Sequence, residues 1–379
     1  MESQFAKILG QRVAERRKKL KVTQEELAQK IGVNSAQIIS QIERGEREVK
    51  AYELARVAKA LLLDVTDLLA QENLGVDQPV LWRVLPFNEA EIKEALFLKH
   101  CKEYALLEDL SGATRSRYFP QKEVDSQSLD FGNVPKLADD IRREFGLGER
   151  PAASLEKILE DQYGVKVWYD DLEEGSAAAT IGDFGPAILM NRKEAPWRRN
   201  YNFAHELFHL ITWKNIPASN LQENKELWEK IEKIANFFAS CLLLPPEPVV
   251  SEIQTRTTEN QIEYSDLIGI AREFDVSTEA LLYRLLSLRL INKETVDSVL
   301  GDTKFRSMDK STMSASWRNP PELPERFVRL AFVAYQKARL SRARLAQLLE
   351  TTLPDVTETL LRYGLDDRET YQKIDLRDS

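Results

Sequence analysis

The stretch that decides the fold is NFAHELFHLI, residues 202–211, which holds two of the three histidines in the chain. His205 and His209 are four residues apart, so on a helix they share one face and can both reach one metal ion. Glu206 lies beside them, placed to take a proton from an attacking water rather than to bind the metal. The alternative is that both histidines only pack in a buried helix, but polar groups among apolar neighbours need partners. The pattern therefore indicates a metal site with hydrolytic chemistry.

The third protein ligand of such a site has to be a carboxylate. A catalytic zinc ion normally has three protein ligands and keeps one position for water. The remaining histidine, His100, lies among lysines with no second ligand nearby, which is typical of a surface or partly packed residue. The segment EKIEKIANFFASCLLLP, residues 229–245, predicts a helix after the histidine pair. Small residues after Glu232 favour close packing there, and Glu226 and Glu229 remain competing candidates.

The same region resembles the ImmA/IrrE family of metallopeptidases. The resemblance rests on PAILMNRKEAPWRRNYNFAHELFHLI at 186–211, on EKIANFFA from residue 232, and on the LLLP that follows. It implies that the cofactor is Zn2+ and that Glu206 is the catalytic residue. It also implies that the metal ligands are His205, His209 and Glu232.

Two positions depart from the family pattern, and the substrate site is less visible. Phe208 stands where the family commonly has Gly, and we expect it to narrow the cleft or to alter a helix contact. Asn200 stands where the family often has a basic residue. Zincin-type peptidases hold a peptide against an edge strand, and SAAATIG at 176–182 is the candidate edge. The equal alternative is an ordinary strand packed under the spacer helices. Tyr201 is a candidate for stabilising the oxyanion.

The N-terminal region predicts a helix-turn-helix. Thr23 and Glu26 form a capping box, an apolar stripe follows, and Gly32 supplies the stop before a second helix near Ser35–Arg44. The run TQEELAQKIGVNSAQIISQIERGER, residues 23–47, resembles the XRE, or lambda-repressor-like, DNA-binding family. This resemblance implies that double-stranded DNA is a partner, bound by two copies on paired half-sites.

The resemblance also assigns the residues that contact DNA. Gln24 would touch phosphate, and the start of the second helix would face base edges in the major groove. The matching positions are Gln24, Ser35, Ala36, Gln37, Gln41 and Arg44. One extra residue at Ile38–Ile39 departs from the family spacing, so either a bulge absorbs it or the reading face differs.

The fold class that follows is mainly α with an α+β zincin-like core. We expect a five-helix N-terminal domain, a small antiparallel sheet with the histidine helix in the middle, and an all-α C-terminal region. The predicted divisions are a DNA-binding domain at 1–72, a helical spacer and linker at 73–134, a peptidase-like domain at 135–250, its helical extension at 251–301, and a C-terminal helical region at 302–379.

Composition limits the class of protein further. Residues 1–70 carry thirteen Lys and Arg against ten Asp and Glu, so a segment of +3 precedes a body of −11 within a net charge of −8. Two cysteines far apart predict neither a disulfide framework nor a cysteine metal site. No signal peptide or membrane-spanning run is evident in the sequence, which predicts a cytoplasmic protein without membrane contact.

Two functions compete. The preferred hypothesis is a zinc endopeptidase fused to a DNA-binding domain, a stress- or phage-linked regulator that cleaves a helix-turn-helix repressor or antitoxin. The alternative is a transcription factor or antitoxin whose peptidase-like domain only senses a ligand or partner. The presence of Glu206 favours the enzyme, because a sensor has no need of a proton carrier.

Overall fold

The computed structural model describes residues 2–69, 78–86, 89–113, 118–126, 128–313 and 318–367. The chain divides into two compact units, one of residues 1–78 and 86–103 and one of residues 79–85 and 104–379. The predicted boundary at residue 72 and the predicted C-terminal residues 368–379 lie outside the described ranges.

The first unit begins with five helices, α1 (Glu2–Lys19), α2 (Gln24–Ile31), α3 (Ala36–Glu43), α4 (Ala51–Ala60) and α5 (Val65–Leu69). Their apolar faces share one core, in which Leu27, Ile39 and Val57 are fully buried. The predicted five-helix domain is confirmed. Helix α6 (Ala90–Ser111) follows and contributes residues to both units.

The turn between α2 and α3 has the geometry that the sequence predicts. Thr23 and Glu26 form both hydrogen bonds of the capping box, and Gly32 ends α2 with φ 73°. The extra residue at Ile38–Ile39 is not absorbed by a bulge, because α3 is a continuous helix with Ile39 and Ile42 buried.

Glycines allow the C-terminal end of α3 to approach α1 closely. A Cβ atom at Gly10 would lie 2.3 Å from the carbonyl oxygen of Ile42. Gly45 has φ 68°, and a Cβ atom there would lie 2.8 Å from the backbone of Lys7. Any larger residue at either position would force the two backbones apart, so this contact fixes where α3 lies on α1.

The second unit contains a four-stranded sheet of β1 (Leu81–Trp82), β2 (Lys166–Asp170), β3 (Ala177–Gly182) and β4 (Gly185–Asn191), in the order β1-β3-β4-β2. β3 and β4 form the predicted hairpin around Asp183–Phe184. The sheet is mixed rather than wholly antiparallel as expected, because β2 runs parallel to β4. After β2, the connection 171–176 leads to β3, which lies two positions away in the sheet. The hairpin then places β4 in the position between β3 and β2.

The SAAATIG segment, which forms β3, is an interior strand and not the edge that we expected. β1 pairs antiparallel with it, Leu81 opposite Ala179 and Trp82 opposite Ala178. Beyond β1, the N–H of Arg83 donates to the carbonyl oxygen of Ala177 at 3.0 Å. The extended segment around β1 therefore satisfies backbone groups that an edge strand would leave open.

The remaining helices of this unit through the middle of the chain are α7 (Val134–Phe145), α8 (Leu155–Asp161), α9 (Pro196–Thr212), α10 (Ala218–Glu223), α11 (Lys225–Leu243), α12 (Pro246–Arg256), α13 (Tyr264–Glu273), α14 (Thr278–Ser287), α15 (Lys293–Gly301) and α16 (Thr303–Met313), with a short 3₁₀ helix at Pro151–Ala153. α9 lies against β3 and β4, and α11 lies against α9 and α7. No single helix among the described residues is long and apolar enough to cross a membrane; α11 and α12 reach that length and hydropathy only jointly, across a 61° bend.

The described C-terminal residues form α17 (Glu325–Gln336), α18 (Arg342–Leu348) and α19 (Val356–Arg362), as the predicted all-α region requires. The turn after α18 repeats the hydrogen bonds of the turn after α2. The N–H of Thr351 donates to Ala346, as that of Val33 donates to Ala28, each at 3.0 Å. Glu350 has φ 51° where the first turn has a glycine. Glu350 therefore ends α18 in the left-handed conformation, as Gly32 ends α2.

A group of largely buried ionisable side chains, which we call the ionic cluster, connects α6, α8, β2 and α17. It consists of Tyr104, Glu108, Glu160, Lys166 and Arg326. Glu108 accepts from Lys166 Nζ at 3.0 Å and from Arg326 Nη1 at 2.8 Å. The Tyr104 hydroxyl donates to Glu160 at 3.1 Å. Both carboxylate oxygens of Glu108 are thus paired with a cationic side chain, as burial of a charge requires.

Candidate metal centre

Helix α9 buries six polar side chains, and three of them belong to the histidine motif. Pro196 occupies the first turn of the helix, where its missing N–H costs nothing. His205, Glu206 and His209 follow within the helix and are at most 3% exposed. The helix packs against the sheet through apolar neighbours, so these three side chains are enclosed by protein rather than by water.

Helix α11 supplies the carboxylate. Asn224 caps its first turn by accepting from the N–H of Leu227 at 3.0 Å. Ala235, fully buried, is among the small residues of α11, the helix that lies against α9. Glu232 faces both histidines, and of the three glutamates considered it is the one that joins them in a group of potential ligands among the described residues.

The potential ligand atoms lie close enough together for one metal ion. The two Nε2 atoms are 3.2 Å apart, one Glu232 oxygen lies 3.3 Å from His205 Nε2, and the other lies 3.1 Å from His209 Nε2. A tetrahedral zinc ion with ligands at about 2.0–2.1 Å places any two of them about 3.3 Å apart. The three residues present therefore fit a zinc ion.

Glu206 gives a second, independent observation. Its Oε1 atom is buried and has no hydrogen-bond partner among the described residues. A buried carboxylate oxygen without a partner is costly in free energy, by about 1–3 kcal/mol or more for a charged group. Such an atom indicates a position where a water molecule or a substrate group completes the site.

The protonation states also suit a metal site. Burial lowers the pKa of His205 to about 4, against a smaller opposing effect of the neighbouring Glu232 carboxylate, so the ring is neutral and can bind a metal. Burial alone would raise the pKa of Glu232, but the two imidazole rings beside it outweigh burial and lower this pKa to about 2. Burial, with the negative charge of Glu232 adding, raises the pKa of Glu206 well above its ordinary value. A raised pKa makes Glu206 a stronger base than an ordinary carboxylate, which suits a residue that accepts a proton.

Arg83 is a residue of the site that the sequence did not reveal. Its guanidinium donates to the side-chain oxygens of Asn202 and, at 3.1 Å, of Asn236. The same Asn236 oxygen lies 3.1 Å from Nδ1 of His205. Arg83 follows β1 in a segment without a metal-binding motif, so only its position in the folded chain connects it with the histidines.

Neither residue that departs from the family pattern is a potential ligand, although the Phe208 ring packs edge-on against the ring of His209, with centroids 5.7 Å apart. Phe208 is fully buried and packs against Phe238 of α11, with ring centroids 5.5 Å apart, so it alters a helix contact rather than narrowing a cleft. Asn200 donates to the carbonyl oxygen of Asp275 at 3.0 Å. The Tyr201 hydroxyl donates to the carbonyl oxygen of Asn236 at 2.6 Å, which gives it a structural role in the described protein.

The residues predicted to contact DNA lie along α2 and α3 of the first unit. Ser35, Gln37 and Arg44 are exposed, and Gln24, Ala36 and Gln41 are half-buried. Gln24 Nε2 donates to Glu43 at 2.7 Å, and Glu43 also pairs with Arg17 at 2.6 Å. Arg44 forms an exposed ion pair with Glu46 at 2.9 Å.

Comparisons with known proteins agree with both regions. Residues 160–286 match the family Peptidase_M78, the IrrE N-terminal-like domain, and residues 13–68 match the helix-turn-helix family HTH_3. No protein of curated function matches the chain. A solved structure of a Mycobacterium tuberculosis transcriptional regulator is similar at 16% identity and a TM-score of 0.32, over 49% of this chain and 52% of that one, so the chain spans about half of its length. The chain thus joins an XRE-type helix-turn-helix domain to an IrrE/ImmA-like domain of the Peptidase_M78 family.

Proposed function

We propose that this protein is a zinc-dependent endopeptidase directed by its own DNA-binding domain, and that it regulates transcription by cleaving a helix-turn-helix repressor or antitoxin. The observation that carries the proposal is the convergence of His205, His209 and Glu232 beside the unpartnered Oε1 of Glu206. A protein that used this domain only as a sensor would have no use for a buried carboxyl group without a partner.

The division of work among the residues follows from the geometry. His205, His209 and Glu232 would hold a zinc ion with two neutral ligands and one negative ligand. When bound, the ion would supply Lewis acidity toward the scissile carbonyl and the attacking water. Glu206 accepts the proton of the attacking water at its free Oε1 atom and passes it to the leaving amine. The enclosed walls of α9 and α11 exclude other water.

The cleavage test uses purified full-length protein and the helix-turn-helix protein encoded by the adjacent gene, with and without a chelator. We expect specific cleavage that a chelator abolishes and zinc restores. Glu206→Gln should bind zinc as the wild type does but should not cleave. Glu229→Gln removes an exposed carboxylate from α11 and is the matched control, which should cleave normally. Cleavage that persists in Glu206→Gln would show that the proposed mechanism is wrong.

The DNA-binding part of the proposal is tested on the protein's own promoter by fluorescence anisotropy. Gln37→Ala should weaken binding by about 1–3 kcal/mol if its side chain contacts a base edge. Arg44→Ala should weaken binding to all sequences and lower the salt dependence by about one counterion if it contacts phosphate. Gln29→Ala, an exposed residue of α2 outside the predicted contacts, is the control. Equal affinities for all three variants would refute the assigned reading surface.

A further inference from the structure

The side chain of Asn236 has two possible orientations, and Arg83 selects one of them. The atom of Asn236 that faces His205 Nδ1 at 3.1 Å also faces Arg83 Nη2 at 3.1 Å. A guanidinium has five N–H donors and no acceptor, so the atom that faces it must be the amide oxygen. If the amide were turned over, its NH₂ group would point at the guanidinium, donor against donor.

This choice of orientation determines where His205 carries its proton. Because an acceptor faces Nδ1, the neutral ring holds its hydrogen on Nδ1 and leaves the Nε2 lone pair free. Nε2 is the atom that faces His209 and Glu232, at 3.2 and 3.3 Å. With the amide turned over, a donor would face Nδ1, and the proton would move to Nε2, where it blocks a metal ion.

Arg83 is itself held in place from three sides. Its backbone N–H is bonded to β3, and its guanidinium lies 5.7 Å from the centre of the Tyr201 ring. Its second donor bonds to the oxygen of Asn202, whose own amide nitrogen donates to Ser176 at 2.9 Å. Asn202 is fully buried, whereas Arg83 and Asn236 are half-buried, and the donors and acceptors along this chain match in one consistent arrangement.

We propose that Arg83 is a positioning residue that sets the tautomer of His205 through Asn236 and so controls the affinity of the site for zinc. The proposal rests on the proposed function for the choice of zinc as the metal. Arg83 lies outside residues 160–286, in the segment that links the DNA-binding domain to the sheet, so displacement of this segment would switch the site to a form that binds zinc weakly.

The tautomer is measured directly by nitrogen NMR of the metal-free full-length protein labelled at histidine. The chain has only three histidines, so His100→Gln and His209→Gln variants assign the signals. We expect the wild type to show His205 protonated on Nδ1, and Arg83→Met to show a mixture or the Nε2 form. An unchanged His205 signal in Arg83→Met would overturn the proposal, whether or not the protein cleaves any substrate.

Zinc affinity, measured by competition with a chromophoric chelator, gives the second readout. Loss of a partner that orients a metal-binding histidine typically lowers metal affinity by about 10–100-fold, and we expect this for Arg83→Met. Arg83→Lys keeps a donor and should recover part of the loss. The matched control is Arg142→Met, which removes an arginine that bonds to the backbone of α11 without touching a ligand. An equal loss in the control would show that only stability had changed.

Asn236→Asp separates the tautomer effect from any other role of Arg83. An ionised aspartate has acceptors only, so either of its oxygens holds the Nδ1 proton and no donor is needed to select between them. In the Asn236→Asp background, Arg83→Met should therefore weaken zinc binding much less than in the wild type. The same fold-loss in both backgrounds would contradict the proposal, and a wild type that binds zinc without cleaving would contradict only the proposed function.

Discussion

The metal centre and the ionic cluster are both groups of charged side chains buried in the same unit, but they differ in how their polar atoms are satisfied. In the ionic cluster, each oxygen of Glu108 has a cationic partner, Lys166 or Arg326. In the metal centre, three potential ligand atoms face one another and Oε1 of Glu206 faces none. Each group consists of buried side chains and one half-buried glutamate, Glu160 or Glu232, so exposure does not distinguish them.

The difference shows that complete pairing of donors and acceptors, rather than burial, distinguishes a structural cluster from a functional one. A closed set of donors and acceptors contributes to stability and is disturbed when any member is removed. A group in which some buried polar atoms lack a partner destabilises the protein until a ligand supplies the missing contacts. Substitutions in the two places should therefore have opposite effects on stability and on activity.

The largest contrast is expected for Glu206→Gln. Loss of the proton carrier should lower kcat/KM for cleavage by about 10²–10⁴-fold, the range typical of general acid–base catalysis. The same substitution should leave the metal-free protein at least as stable as the wild type, because burial disfavours the charge that glutamine lacks. Cleavage assays and urea unfolding measure the two effects. A clear loss of stability would mean that Glu206 belongs to a satisfied structural network.

Glu108→Gln should behave in the reverse way. It leaves Lys166 and Arg326 buried without a counter-charge, and breaking a buried pair in this way costs about 3–5 kcal/mol. Urea unfolding should show this loss, while zinc affinity per folded molecule stays unchanged. Asp109→Asn, the neighbouring exposed carboxylate on α6, is the control and should change the free energy of unfolding by less than about 0.5 kcal/mol. Similar values for both variants would remove the contrast.

Addition of zinc should stabilise the folded protein through the metal centre and not through the ionic cluster. At a free zinc concentration of 100 times Kd, the free energy of unfolding should rise by about 2.7 kcal/mol. The gain should be the same in Glu108→Gln, whose metal centre is intact, and absent in His209→Ala. Thermal or urea unfolding with buffered zinc measures it. A gain that survives in His209→Ala would place the zinc elsewhere.

The smallest effect concerns pH and Glu160, at the margin of the ionic cluster. Burial, with the charge of Glu156 adding, raises the pKa of Glu160 to about 8. Its contribution to stability is therefore fully present below the unfolded pKa of about 4.5 and is lost as pH rises through about 8. Glu160→Gln should remove this loss and, since Glu160 is only partly buried, stabilise the protein at pH 9 by on the order of 1 kcal/mol. Parallel pH profiles of the two proteins would contradict this.

The sequence predicts the parts of the site that depend on local spacing. His205, Glu206 and His209 follow from one helical repeat, and the resemblance selected Glu232 among three glutamates. The mixed sheet and Arg83 depend instead on contacts between distant segments. β1 is only two residues long and carries no alternating pattern of its own, so nothing in the sequence predicts that it covers β3 and delivers Arg83.

The extended strand that covers β3 has a practical consequence for anyone who divides the protein. A fragment that begins at the predicted boundary, residue 135, has every motif residue of the peptidase domain but lacks Leu81, Trp82 and Arg83. Such a fragment would expose the backbone of a strand rich in alanine, a template for association with other chains. It would also lack the guanidinium that fixes the orientation of the Asn236 amide. Weak zinc binding or aggregation of that fragment would therefore result from the truncation, and would not measure the zinc affinity or the solubility of the intact chain.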